Sequence, residues 1–211
     1  SEMCIRDSFY LLEKLRYYDD YVKNGSYQKN DVFTWFGEPF TELAGKTWGI
    51  IGLGAIGRKV ADIAKAFGAH VIYYSASGRP VQEGYEQVDL NTLLRTSDVI
   101  SVHAPLNEYT ENLMDKAAFA KMKRSAIFLN LGRGPIVVEE DLAEALKQGT
   151  IAAAGVDVLR TEPIQPDNPL LAIKDSHKLL ITPHIAWAST EARTRLMQIV
   201  FDHVKGFAEK R

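Results

Sequence analysis

The run Gly52-Leu53-Gly54-Ala55-Ile56-Gly57 constrains this chain more than any other feature. It follows the short apolar stretch Thr47–Ile51 and opens an amphipathic stretch, which is the layout of a tight turn from strand into helix. Each glycine answers a different physical need. Gly52 permits the turn, Gly54 lets the backbone approach a pyrophosphate, and Gly57 allows close packing of helix on strand. The phosphates would rest at the N-terminus of a helix that begins near Ile56, where free amides and the helix dipole favour an anion. The helix is expected to turn Ile56, Val60, Ile63, Ala64 and Phe67 to one side.

The rest of the chain repeats the alternation of short β-branched runs with helical periods, which predicts βαβ units and a parallel sheet. Further strands are expected over 71–74, 99–103, 126–131, 151–156 and 179–182, and helices over Leu90–Thr96, 116–122 and Glu139–Lys147. A last helix opens at Ser189, a good N-cap, and carries Leu196, Ile199, Val200, His203 and Phe207 on one side. Upstream, residues 9–22 read as one helix stopped by Asn24-Gly25, which is a helix-ending turn rather than a glycosylation site. Residues 1–8 lack clear periodicity, and 27–43 form an aromatic arm with Phe33, Trp35, Phe36 and Phe40. The fold class is therefore α/β, a Rossmann-type doubly wound parallel sheet. Its expected divisions are 1–44 as a leading helix and arm, 45–188 as the dinucleotide-binding domain, and 189–211 as a closing helix.

Composition narrows the function. A formal net charge of −2 gives no long-range attraction to nucleic acid or to an anionic membrane, so neither is expected as a partner. No apolar run approaches the roughly 20 residues a spanning helix needs, and no signal-peptide layout is seen at the start. The single cysteine, Cys4, excludes an internal disulfide, and the expected compartment is a reducing cytoplasm. A reactive thiol is not expected there. The five histidines (His70, His103, His177, His184, His203) show no metal-ligand spacing, and no serine stands in a nucleophile elbow. His103 reads as a satisfied strand-end histidine.

The end of the second strand carries Ser75 where an NAD site usually places a carboxylate on the adenosine ribose. Ser75, Ser77 and Arg79 could instead receive a 2′-phosphate, a hint towards NADP that leaves NAD open. Three polar residues stand beyond the ends of apolar strands, where open parallel sheets place ligands: Arg133, Glu162 and His184. Taken singly each has a bland reading, as a surface ion pair, a turn and a strand cap. Together they supply one reaction. Arginine grips the carboxylate of a 2-oxo acid and polarises its carbonyl, histidine protonates the developing alkoxide, and a carboxylate beside the histidine orients its ring.

The chain resembles the D-isomer-specific 2-hydroxyacid dehydrogenases. The resemblance rests on Glu42-Leu43-Ala44-Gly45-Lys46-Thr47 leading into the glycine turn, His103-Ala104-Pro105-Leu106, Asn130-Leu131-Gly132-Arg133-Gly134, Gly155-Val156-Asp157-Val158 with Glu162-Pro163, and Pro183-His184-Ile185-Ala186. It implies Arg133, Glu162 and His184 as the catalytic set and Asp157 on the nicotinamide amide. Ile56, Gly57, Ala104, Pro105, Leu131, Gly132 and Ala186 are implied as cofactor-lining positions. Within the family the glycerate dehydrogenase (hydroxypyruvate reductase) branch is most similar. D-lactate or phosphoglycerate dehydrogenases and the dinucleotide-sensing corepressors of the same fold are the alternatives. Family members begin with a flavodoxin-like substrate domain of which only remnant helices are expected here. Three expectations follow: residues 1–8 are not native to the family, helices at both ends expose apolar surface, and the chain alone binds dinucleotide with little reductase activity. The resemblance also implies a homodimer through the aromatic arm.

Overall fold

The protein is described from a computed structural model, over residues 2–76 and 84–209. Two helices, α1 (Glu2–Leu12) and α2 (Leu15–Lys23), and a short 3-10 turn precede the sheet. There follow β1 (Thr47–Ile51), α3 (Ala55–Ala66), β2 (His70–Tyr74), β3 (Glu86–Gln87), α4 (Leu90–Thr96), β4 (Val99–Val102) and α5 (Lys116–Phe119). The chain continues with β5 (Ile127–Asn130), α6 (Glu139–Lys147), β6 (Ala153–Val156), β7 (Leu179–Ile181) and α7 (Thr190–Ala208). The strands form one parallel sheet in the order β3-β2-β1-β4-β5-β6-β7. Chain order reverses between β1 and β4, the position at which such sheets open a crevice.

Register aligns the strand ends. Ile51 lies beside both Tyr74 and Val102, Val102 beside Asn130, Asn130 beside Val156, and Val156 beside Ile181. The segments that carry Gly52, Ser75, His103, Arg133, Asp157 and His184 therefore all leave the same edge of the sheet. Strands buried on both faces explain the uninterrupted Val, Ile and Leu runs read from the sequence. One face packs Leu93, Ile100, Phe128, Leu142 and Leu146, and the other packs Trp48, Val60, Ala64 and Tyr73. Trp48 spends its indole N–H on Ser101 Oγ at 2.9 Å, so its burial leaves no polar atom unpaired.

Several expectations are corrected. The helix expected over 9–22 is two helices, broken where Lys14 adopts a left-handed conformation (φ 53°). Residues 2–8 are not irregular: α1 buries Cys4, Asp7, Ser8 and Leu11, and it packs on β5, β6 and α3. That stripe escapes a hydrophobic pattern because two of its four members are polar. Ser8 returns its hydroxyl to Cys4 O and Ile5 O, and Asp7 is paired with Arg6. The apolar surface expected at both ends is found on α7, where Leu196, Ile199, Val200 and Phe207 are exposed, and to a smaller extent on α2, where Leu15 and Val22 are exposed, but not on α1. On α3 the buried stripe is Gly57, Val60, Ala61 and Ala64, while Ile56 is 60% exposed and Phe67, just past the helix, is about half exposed with its ring against Phe9. Gly57 sets that phase by lying against the turn itself. The polar edge strand β3 offers no apolar alternation and was not anticipated. The helix expected over 116–122 ends at Phe119. Ser189 caps α7 as expected, accepting the Ala192 amide at 3.2 Å.

Candidate active site

The glycine turn is shaped by close backbone approach. Gly52 holds φ +95°, and a Cβ there would stand 2.6 Å from the Ala104 amide nitrogen. A Cβ on Gly57 would stand 2.3 Å from Gly52 O. At Gly54 a Cβ would meet nothing within 4 Å, so this glycine faces open space at the start of α3. That helix begins without a side-chain cap, whereas Asp89, Asp115 and Ser189 cap α4, α5 and α7. Its first amides (Ala55, Ile56, Gly57) therefore lack helical partners and can receive an anion. The residues fit a dinucleotide pyrophosphate. Ala104 is buried between Gly52 and Gly132 and closes the floor of the crevice, with Pro105 exposed beyond it. Ser75 is half-buried just past β2, one residue beyond Tyr74, whose carbonyl accepts the Gly52 amide at 3.0 Å. Ser77 and Arg79 lie outside the described residues.

The segment after β5 is folded by Asn130. Its Oδ1 accepts the Gly132 amide at 3.1 Å, and its Nδ2 donates to Arg133 O at 3.0 Å. The buried amide so directs Arg133 outward, where its Nη1 reaches Gly132 O at 2.8 Å. Gly134, next in the chain, is held by a close approach of its own. It approaches the chain itself: a Cβ there would be 1.9 Å from the Leu159 carbonyl carbon. The backbone next to Arg133 and the segment that leads to Glu162 are thereby held in contact.

Asp157, 2% exposed, shapes the segment after β7. Its Oδ1 accepts Thr182 Oγ1 at 2.5 Å and the Ile185 amide at 2.9 Å, its Oδ2 accepts the Ala186 amide at 2.8 Å, and its carbonyl accepts the His184 amide at 2.8 Å. These bonds hold His184 at φ 53°, a conformation a residue with a Cβ keeps only when its surroundings impose it. The carboxylate implied for the nicotinamide amide is thus largely occupied within the protein. One lone pair on Oδ2 remains for a ligand.

His184 Nδ1 lies 2.7 Å from Glu162 Oε2, and Glu162 Oε1 accepts the Leu159 amide at 2.9 Å. An ionised carboxylate only accepts, so Nδ1 carries the proton and Nε2 is left to exchange one. Partial burial opposes the charge on Glu162. The His184 and Leu159 hydrogen bonds and the positive charges of His184 and Arg133 outweigh it and hold the carboxyl below the usual carboxylate range. A cavity of about 140 Å³ is lined by Ile56, Leu131, Arg133, Asp157, His184 and Ala186. His103 also borders it, but burial pushes its pKa down to about 4 and it pairs with Ser101 Oγ at 3.1 Å. It is a neutral strand-end histidine, as expected. Among the described residues no group of His, Cys, Asp and Glu could hold a metal, and no helix is long and apolar enough to cross a membrane. Sequence reasoning missed Asn130 and Thr182. Of the two, Asn130 left a trace, an amide ending an apolar strand.

The family model of the D-isomer specific 2-hydroxyacid dehydrogenase NAD binding domain matches residues 7–186. The chain belongs to this family. It is 44% identical over 193 residues to the hydroxypyruvate reductase of Blautia hydrogenotrophica, covering 90% of this chain and 59% of that protein. With the glycerate dehydrogenase of Methylorubrum extorquens it shares 42% identity over 190 residues, again 90% of this chain and 59% of the relative. The chain thus spans about three fifths of the length of these relatives. Among solved structures, the D-lactate dehydrogenase of Aquifex aeolicus, complexed with NAD and lactic acid, superposes with a TM-score of 0.87 at 28% identity, covering 99% of this chain and 66% of that one. An acyclic imino acid reductase in complex with NADPH and D-Arg superposes with a TM-score of 0.83 at 32% identity, covering 96% and 62%.

Proposed function

We propose that this chain is the cofactor-binding and acid–base part of an NAD(P)-dependent reductase of small 2-oxo acids, with hydroxypyruvate and glyoxylate as substrates. The observation that carries the reading is that His184, paired with Glu162 at 2.7 Å, lines the same cavity as Arg133. When bound, the dinucleotide supplies the hydride. Gly52, Gly54 and the first amides of α3 receive its phosphates. Arg133 binds the 2-oxo carboxylate in two-pronged fashion and draws charge onto the carbonyl oxygen. Protonated His184 gives its Nε2 proton to that oxygen, while Glu162 holds Nδ1 and stabilises the imidazolium. Asp157 keeps the turn in place and offers its remaining lone pair to the nicotinamide end of the cofactor.

The choice of hydroxypyruvate and glyoxylate rests on the relatives' names, which include hydroxypyruvate reductase, glycerate dehydrogenase and glyoxylate reductase. Ser75 in place of a carboxylate favours NADP over NAD. The aromatic arm leaves Phe33 91% and Phe36 87% exposed, which supports a homodimer through that arm. In these 211 residues the His184 and Glu162 side chains are 40% and 36% exposed. A charged pair so open to water is weakened, and water competes for the proton. As an isolated polypeptide the chain therefore binds dinucleotide and turns over below roughly 1 per second, the lower end for enzymes.

The test is dinucleotide binding followed by fluorescence, with and without the unreactive 2-oxo acid analogue oxamate. Oxamate should tighten NAD(P)H binding in the native chain and have no effect in Arg133→Ala. Failure to bind either dinucleotide, or an oxamate effect that survives loss of Arg133, overturns the assignment. Hydroxypyruvate-dependent oxidation at enzyme-like rates would instead overturn the statement about the isolated chain. A sedimentation measurement showing a monomer at micromolar concentration would remove the dimer.

A further inference from the structure

Glu139 is the first residue of α6 and is only 8% exposed. Buried glutamates are rare unless their oxygens are satisfied. Both are satisfied here by the segment that follows β6. Oε1 accepts the Arg160 amide at 2.7 Å, and Oε2 accepts Asn168 Nδ2 at 2.8 Å. These two partners bracket Glu162 in sequence. Asn168 is itself locked, because its Oδ1 caps the 3-10 turn Pro169–Ala172 through the Leu170 amide at 3.0 Å.

The neighbouring contacts make this brace directional. The Leu159–Arg160 peptide is pressed on one side by Gly134 and drawn on the other by Glu139. The amide of Leu159, one residue back, is the group that Glu162 Oε1 accepts. Glu162 Oε2 then holds His184 Nδ1. Hydrogen bonds joined through the Leu159–Arg160 backbone so run from the start of α6 to the histidine ring. Arg160 adds an outer tie through its guanidinium to the Asn112 side chain. Of the two anchors, the neutral Gly134 contact sets only a distance, whereas Glu139 also fixes which way the Arg160 amide points.

We propose that Glu139 is a positioning residue for the His184–Glu162 pair: its buried carboxylate fixes the 159–168 segment so that Glu162 meets His184 Nδ1. The proposal deepens the acid–base reading of this site and rests on it for its catalytic meaning. Glu139 touches neither substrate nor cofactor.

The decisive readout is the tautomer of the His184 ring, followed by long-range ¹⁵N spectra of the full 211-residue chain. The five histidine signals can be assigned with His184→Gln. In the native chain Glu162 holds the ring in the Nδ1–H form. Glu139→Ala removes both braces, and the ratio of Nδ1–H to Nε2–H should fall by roughly fivefold or more, the scale of one weakened charge-assisted hydrogen bond. Glu139→Gln retains an acceptor for the Arg160 amide but turns a donor on Asn168, and should give a smaller fall in the same direction. Glu140→Ala, on the exposed side of the same first turn, should leave the ratio unchanged. NADH affinity should stay within about twofold in all three, since the glycine turn lies on the other side of the switch point. An unchanged ratio in a folded Glu139→Ala overturns the proposal. Where that variant does not fold, an unchanged ratio in Glu139→Gln does so. If the ratio falls but no variant or native chain binds dinucleotide or answers to oxamate, the positioning role stands and the reductase reading fails.

Discussion

Gly54→Ala separates binding from folding more cleanly than any other change in the cofactor turn. Gly54 sits at φ −77°, ψ −166°, which alanine adopts without strain, and its Cβ would touch nothing within 4 Å. The change should move stability by no more than about 1 kcal/mol, the sum of a stiffer unfolded chain and a slightly poorer N-cap. For a chain of this size that is a shift of at most roughly 4 °C in Tm. The methyl group nevertheless occupies the space in front of the first amides of α3. Losing one charge-assisted hydrogen bond to phosphate costs about 1.5–3 kcal/mol, so NADH and NADPH should bind roughly 10- to 150-fold more weakly. Gly57→Ala provides the contrast. Its Cβ at 2.3 Å from Gly52 O is about 1.1 Å short of ordinary contact at 3.4 Å, and the opposing atom is backbone. Overpacking of that kind costs about 1–3 kcal/mol, or roughly 2–12 °C in Tm. Thermal unfolding by circular dichroism and titration of cofactor fluorescence measure both quantities. Native affinity in Gly54→Ala would refute the placement of the pyrophosphate at this turn.

Three further outcomes are expected. Ser75→Asp should move the NADPH/NADH affinity ratio towards NADH by repelling a 2′-phosphate; an unchanged ratio in paired titrations removes Ser75 from cofactor choice. Burial pushes the Cys4 thiol up to about 12, so it should react with a thiol reagent only after denaturation, and prompt labelling of native protein would contradict the burial of α1. The Glu162 carboxyl lies below the usual carboxylate range when folded, so its pairing with His184 is complete above that range and is lost as pH falls through the lowered value. A ¹³C titration of Glu162 with a midpoint at or above the ordinary value would show that the pair does not form in solution.

Local signals were legible. Leu90–Thr96, Glu139–Lys147, the Ser189 cap and the strand Thr47–Ile51 match their sequence patterns because caps and periodicity decide them within a few residues. What depends on a distant partner was not. No glycine or proline marks the break at Lys14, and the outward turn of Ile56 follows from Gly57 meeting Gly52 rather than from its own hydrophobicity. The site divides in the same way. Arg133, Glu162 and His184 were nominated by their places beyond strand ends, and Arg133 and His184 do line one cavity. That Gly134 serves a contact with Leu159, and that Asp157 spends its oxygens on the His184 turn, are facts about segments some 25 residues apart. Glu139 looked like an ordinary acidic first-turn residue, favourable there for the helix dipole. Only its partners on the β6 segment distinguish it.

The reversal of strand order between β1 and β4 has a consequence for how such a protein can change. Gly52, Gly54 and Ser75 belong to the β1–β2 half, while Arg133, Glu162 and His184 stand in the segments that follow β5, β6 and β7, where Glu139, Arg160, Leu159, Glu162 and His184 are tied by their own hydrogen bonds. On the proposed reading, a substitution near Ser75 would retune which reducing currency is used without passing through the proton-transfer residues, and repacking around Glu139 would adjust those residues without altering the currency. On that reading the two properties occupy separate halves of the sheet, joined along the single seam between β1 and β4.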